Sequence, residues 1–313
     1  MMIKIALMFP GQGSQRIGMG MDIYNKYQNA RNVIDMAGNN LKDIIFNGPN
    51  EILKLNKYVQ PAIFVVSMAI FEVFRSFCNF NDISFVAAGH SLGEYSALCA
   101  AGFFDFTDGL EMVKLRGEFM QKASDENSGA MVAIIGLKKT VVENICMQAS
   151  SFGVCEIANF NSHDQIVISG NISSINIAIK LATDAGALKC ITLNVSGPFH
   201  SSLMASASDN ISKKLCEYNF NIPSFGVFTN CDALLNTDNS FIKKKLVKQI
   251  VSPVKWNETI NNIINLGFDI FIEIGPGMVL SKLLKKIDKS KKSLNVEDSI
   301  SLQNALEVIN NEA

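Results

Sequence analysis

Apolar residues run almost unbroken through "IKIALMF" (3–9) and "ISFVAAG" (83–89), and a turn containing glycine follows each run. Runs of this length without polar alternation predict strands buried on both faces, as in a parallel sheet covered by helices. "QPAIFVVSMAIFEVFRSF" (60–77) is apolar almost all round. It predicts a helix in the middle of the protein, with Pro61 near its start. "FTDGLEMVKLRGEFMQKAS" (106–124) has helical periodicity, and its Asp108 and Glu111 stand at capping-box spacing. "FDIFIEIGPGMVLSKLLKKI" (268–287) predicts a strand, a Gly-Pro-Gly turn and a helix.

Between 130 and 194 the pattern changes. "AMVAIIG", "VCEIANF", "DQIVISG" and "LKCITLNV" predict strands, while "KKTVVENICMQAS" and "ISSINIAIKLATDAG" predict helices. Their order is βαββαβ, the ferredoxin-like arrangement, in about 65 residues. The chain therefore predicts a large α/β domain, residues 1–127 and 196–313, interrupted by a small subdomain over 128–195.

Composition narrows the function classes. With 313 residues, 48% of them hydrophobic and 18% charged, and a net charge of −1, the chain has an ordinary globular balance. It lacks the basic excess of a nucleic-acid binder. Seven scattered cysteines without a CxxC argue against a disulfide framework or zinc knuckle, and three histidines leave little for a metal site. A reducing cytoplasm is the expected compartment. No apolar run approaches the ~20 residues of a membrane span, and the N-terminal apolar stretch is short for a signal peptide.

The candidate chemistry centres on "GHSLG" (89–93), which fits the G-x-S-x-G elbow between a strand and a helix. In such an elbow Ser91 is a nucleophile exposed at a helix N-terminus, where the Leu92 N–H points at a developing oxyanion. As a bare pattern it also suits an N-cap serine between two glycines. A serine nucleophile needs a base. His90 adjoins Ser91 and points away, and His163 lies in a polar turn, so His200 of "GPFHSSLM" is the base by elimination. Asp125, Glu126 and Asp184 lie between Ser91 and His200, yet none follows an evident large-domain strand. The group orienting the histidine is then expected to be neutral, such as a carbonyl.

Arg116, one of four arginines, shares a helix face with Met112, Phe119 and Met120. Either it snorkels to water or it grips a carboxylate in a cleft. "FPGQGSQ" (9–15) matches neither a dinucleotide fingerprint nor a Walker loop. Its glycines let the backbone near Gln12 approach another group closely. Lysines at 243–245 and 282–292 suit an acidic partner or simply solvated helix ends.

"FPGQGSQ", "GHSLGEYSAL", "LRGEFMQ", "NFNS", "GPFHSSLM", "SPVKW" and "EIGPG" together resemble the acyltransferase family. Within it they resemble the stand-alone malonyl-CoA:acyl carrier protein transacylases of type II fatty acid synthesis. The resemblance covers about residues 3 to 290. It implies a hydrolase-like α/β core with a ferredoxin-like insertion, acting as a cytoplasmic monomer on malonyl-CoA and acyl carrier protein. Nucleic acid and membrane are not implied as partners, and no cofactor is implied, coenzyme A being part of a substrate. Ser91 and His200 become the catalytic pair, and Arg116 the partner of the malonyl carboxylate. Gln12 lines the site, its N–H and that of Leu92 form the oxyanion hole, and the Gln249 carbonyl orients His200. Met120 and Phe199 are among the substrate-binding residues, and Asn159 and Asn161 lie along the entrance. "NSHDQ" departs from relatives that carry Pro-Gly after "NS". A serine esterase or thioesterase is the competing enzyme class, and a docking module would need Ser91, His200 or Arg116 to be missing.

Overall fold

A computed structural model describes residues 2–78 and 83–312. In chain order its strands are β1 (Ile3–Phe9), β2 (Ile83–Gly89), β3 (Gly129–Ile135), β4 (Cys155–Ser162), β5 (Gln165–Asn171) and β6 (Lys189–Thr192). They continue with β7 (Gly226–Phe228), β8 (Leu235–Asn236), β9 (Ile270–Ile274) and β10 (Lys292–Val296).

Two sheets form. The larger runs β10-β9-β1-β2-β7-β8 and is parallel except for β8, which pairs antiparallel with β7. The unbroken apolar character of β1 has a direct cause. Ile5, Leu7 and Phe9 enter the core on one face, and Ala6 and Met8 enter it on the other, beside Trp256 and Leu284. Each strand of a doubly covered sheet has no solvent side to mark with polar residues. β1 and β2 pair in register from Ile3↔Ile83 to Phe9↔Gly89. The turn after Phe9 and the turn after Gly89 consequently leave the sheet side by side, at the carboxyl ends where open α/β sheets place their ligands.

The interior helix spans Asn56–Phe77, so Pro61 lies inside it rather than near its start. Tertiary contact extends the helix upstream. Gly117 brings a facing helix so close that a Cβ there would sit 2.6 Å from the Asn56 carbonyl oxygen, and Asn56 Nδ2 donates to Ser196 Oγ at 2.8 Å. At 22 residues this helix is long and apolar enough to cross a bilayer, contrary to the expectation from the run alone. However, 83% of its apolar window is buried inside the protein, and it packs against the large sheet.

The next long helix spans Phe106–Glu126 and is capped three residues earlier than expected: Asp105, not Asp108, accepts from the Asp108 N–H at 2.9 Å. Phe106 stacks on Phe64 with ring centroids 5.7 Å apart, which draws the first turn upstream.

The smaller sheet is antiparallel, in the order β4-β5-β3-β6. With its helices Lys139–Ala149 and Ile172–Asp184 it has the expected ferredoxin-like order. β6 is only four residues long. It lies at the sheet edge with β3 as its neighbour, so little pairing holds it beyond Thr192. Val132 and Ile134 of β3 pack under the two helices. Met131 and Ala133, pointing the other way, meet Met120, Phe199 and Met204 of the large part. This second contact faces the carboxyl ends of β1 and β2, and a cavity of about 440 Å³ lies there.

Candidate active site

The elbow is built by close approach. A Cβ on Gly89 would lie 1.9 Å from the Gly93 carbonyl carbon, and one on Gly93 would lie 2.0 Å from the Phe9 carbonyl oxygen. Backbone cannot yield as a flexible side chain can, so both positions require glycine. Between them Ser91 takes φ +52°, in the left-handed region, and His200 takes φ +57°. Such conformations cost of order 1 kcal/mol or more each and persist where surrounding structure fixes them.

Those two residues meet. Ser91 Oγ lies 2.7 Å from His200 Nε2, and His200 Nδ1 lies 2.9 Å from the backbone oxygen of Gln249. Asp125, Glu126 and Asp184 take no part: Asp125 accepts from Gln121 Nε2 and Glu126 from Ser206 Oγ. Desolvation, with the Arg116 charge beside it, pushes the His200 pKa down to about 3. Its imidazole is therefore neutral across the neutral range and ready to accept a proton.

Arg116 is buried, so it does not snorkel to solvent. One guanidinium nitrogen donates to Gln60 Oε1 at 2.6 Å, while the other donates to Ser91 Oγ at 3.0 Å and to Gln249 Oε1 at 3.1 Å. Among the described residues its Nε has no partner, and the guanidinium carbon sits 5.6 Å from the centre of the Tyr95 ring. Burial draws its pKa below the usual value, with Tyr95 and Glu94 opposing, yet a guanidinium stays charged in proteins. Among the described residues no carboxylate bonds to it; a buried cation left so is costly, and this one faces the cavity that also holds Ser91 and His200.

The other expected residues fall around this centre. Gln12, Leu92, Met120, Asn159, Asn161 and Phe199 all line the cavity. A Cβ on Gly11 would lie 2.3 Å from the His90 carbonyl oxygen, so the "GQG" turn rests directly on the elbow. Asn161 is buried, and its Oδ1 accepts from His90 Nε2 at 2.8 Å. His90 itself lies against Trp256. Asn161 is thus tied to the elbow as well as lining the cavity. His163 is exposed in the β4–β5 turn. Of the two lysine groups, Lys282 and Lys286 reach the cavity lining, whereas Lys243 donates to the Tyr218 carbonyl and Lys245 pairs with Asp232.

Three residues of the network carry no role in the sequence reading: Gln60, Glu94 and Asn230. Glu94 did leave a signal, as the one charged side chain in an otherwise apolar helix, "GEYSALCAA". Gln60 is a single amide heading an apolar run. Asn230, in "FTNCD", reads as an ordinary turn and leaves none.

A serine and histidine at the strand ends of an α/β sheet, sharing one cavity with a buried guanidinium, define a fold and site of the acyl-transfer kind. The acyl transferase domain family matches residues 7–306, and the chain belongs to that family. It is 40% identical over 316 residues to the malonyl CoA-acyl carrier protein transacylase of Bacillus subtilis, covering 99% of each chain. The crystal structure of acyl-carrier-protein-S-malonyltransferase from Bartonella henselae superposes with a TM-score of 0.93 at 39% identity, over 98% of this chain and 100% of that one. A structure of a type II PKS acyl-carrier protein in complex with its malonyl-transacylase matches with a TM-score of 0.94 at 36% identity, over 97% of this chain and 99% of that one.

Proposed function

We propose that this chain transfers a malonyl group from malonyl-CoA to the phosphopantetheine thiol of acyl carrier protein, through an ester on Ser91. The observation that carries the reading is a single oxygen with two partners. Ser91 Oγ is at once 2.7 Å from His200 Nε2 and 3.0 Å from a guanidinium nitrogen of the buried Arg116.

Ser91 Oγ attacks the thioester carbonyl and His200 Nε2 takes its proton. The C–S bond then breaks, and the coenzyme A thiolate leaves with that proton. The amides of Leu92 and Gln12 have no acceptor among the described residues, which suits them to the transient oxyanion. Arg116, turning from Ser91 towards the free carboxylate of the malonyl group, holds the acyl chain by a charge-assisted pair. In the second half-reaction the carrier-protein thiol gives its proton to His200 and attacks the ester. The malonyl thioester forms as the ester C–O bond breaks, and Ser91 Oγ leaves with the proton held on His200 Nε2. Met120, Met131, Val167 and Phe199 give the cavity apolar walls, which offer ordered water few partners beside the ester. The steps call for no group beyond these side chains and the two substrates. Seven unpaired cysteines suit a reducing cytoplasm.

Intact mass of the chain after mixing with malonyl-CoA, followed by peptide mapping, tests this reading. The expected result is one malonyl group on Ser91, discharged faster by holo acyl carrier protein than by water. Faster discharge to water would make the chain a thioesterase, and an unlabelled Ser91 would end the acyl-serine mechanism.

A further inference from the structure

The elbow is held from beneath by residues that touch no substrate. The Ser91 N–H donates to Asn230 Oδ1 at 2.8 Å, and Asn230 Nδ2 donates to the Gly89 carbonyl at 2.7 Å. On the other side of Ser91, Gln249 Nε2 donates to the Ser91 carbonyl at 2.9 Å. The two holders converge on one atom: Glu94 Oε2 accepts from the Asn230 N–H at 3.0 Å and from Gln249 Nε2 at 2.7 Å. Glu94, Asn230 and Gln249 are all buried, at 0%, 1% and 0% exposure.

Peptide planarity turns these bonds into a statement about the chemistry. The Ser91 N–H belongs to the His90–Ser91 plane, and the Ser91 carbonyl belongs to the Ser91–Leu92 plane. In a trans peptide the carbonyl and the following N–H point in opposite directions. Gln249, by holding the Ser91 carbonyl inward, aims the Leu92 N–H outward. Asn230 fixes the plane before it. Both planes flanking a residue in the strained left-handed region are thereby pinned.

We infer that Glu94 and Asn230 are positioning residues for acylation: through Asn230 and the Gln249 side chain, the buried Glu94 carboxyl fixes the two peptide planes around Ser91 and the direction of the Leu92 N–H. The inference rests on the acyl-serine reading. Gln249 joins the same network to the rest of the site, since its side-chain oxygen accepts from Arg116 and its backbone oxygen meets His200. The acceptor at Glu94 Oε2 is what matters. Among the described residues Glu94 Oε1 has no partner, so an amide with its nitrogen placed there keeps both bonds.

The test measures single-turnover acylation of the full chain with two donors, malonyl-CoA and the neutral ester p-nitrophenyl acetate. Burst amplitude counts folded sites, and the rate constant reports positioning. Asn230→Ala should slow acylation on the order of 10- to 100-fold with both donors, with KM for malonyl-CoA changed less than about twofold, since Arg116 keeps its partners. Glu94→Leu should slow it likewise, and Glu94→Gln should regain most of that loss. If Asn230→Ala or Glu94→Leu fails to fold, Asn230→Ser and Glu94→Gln decide. The serine is too short to reach Ser91 and should lose rate, while Glu94→Gln should stay within a few-fold of wild type.

A lower burst amplitude with an unchanged rate constant would reduce these residues to structural support and overturn the inference. So would equal rates in Glu94→Leu and wild type, or a full rate in Asn230→Ser. Wild type serves as the control for the parent reading: if it takes no label on Ser91, that reading fails, and if it does, a negative result falls on the positioning role alone.

Discussion

His200 Nδ1 lies 2.9 Å from the backbone oxygen of Gln249. A carbonyl oxygen can only accept, so this contact places the ring proton on Nδ1 and leaves Nε2 bare towards Ser91 Oγ. The orienting group is neutral and belongs to the main chain. Substituting the Gln249 side chain should therefore leave the histidine tautomer intact. Measured in the Glu94→Gln background, Gln249→Ala is expected to keep His200-dependent acylation while losing rate through Ser91 and Arg116, as a pH–rate profile of unchanged shape and lower height.

The pH profile itself is a second expectation. His200 is pushed down to about 3 by burial and by Arg116, so its basic form is already complete well below neutrality. In the free enzyme kcat/KM for acylation should stay level from about pH 8 to about pH 5. The measurement belongs in Glu94→Gln, which removes the buried carboxyl that titrates near neutrality. An inflection near the usual histidine value in that background would contradict it.

Glu94 gives the third expectation. Burial raises its pKa to about 7, and nearby Asp232 adds to this, while Gln249, the Asn230 amide and Arg116 oppose the rise. The folded state then holds this proton more tightly than the unfolded chain. The resulting stability is fully present below about pH 4.5 and is lost as pH rises through about 7. Glutamine does not titrate, so the Tm of Glu94→Gln relative to wild type should rise between about pH 4.5 and 7 and level off above. A difference independent of pH would mean that Glu94 does not titrate there.

Arg116→Ala should separate donors by charge. Malonyl loading is expected to fall on the order of 10²-fold relative to acetyl loading, because only malonyl carries a carboxylate to match a buried guanidinium. Competition between the two thioesters, read by intact mass, checks it. An unchanged ratio would remove Arg116 from substrate choice.

Gly11 is held by proximity alone. A Cβ there would come within 2.3 Å of the His90 carbonyl oxygen, and backbone on both sides leaves little room to yield. Gly11→Ala should cost about 1–3 kcal/mol of stability and lower turnover by moving Gln12 from the elbow. Denaturant unfolding and steady-state rates measure the two effects.

Much of this protein was legible along the chain because the governing physics is local or periodic. The buried strands ending at Phe9 and Gly89 follow from their unbroken apolar runs, the ferredoxin-like order from the alternation over 130–194, and the elbow from glycines two residues either side of Ser91. Where the structure departs from the linear pattern, distant contacts shift a boundary: Gly117 packs against Asn56 as the first residue of its helix, and Asp105 is the cap where Phe106 stacks on Phe64. The association of Ser91, His200 and Arg116 needed the fold, since parallel pairing of β1 with β2 and the return of the chain at Ser196–His200 bring them to one cavity. Glu94 stands out along the chain only as a lone charge in an apolar helix, Asn230 not at all, and neither role is written there. Their part depends on hydrogen-bond directions between residues more than a hundred positions apart, and a linear pattern carries no information about direction in space.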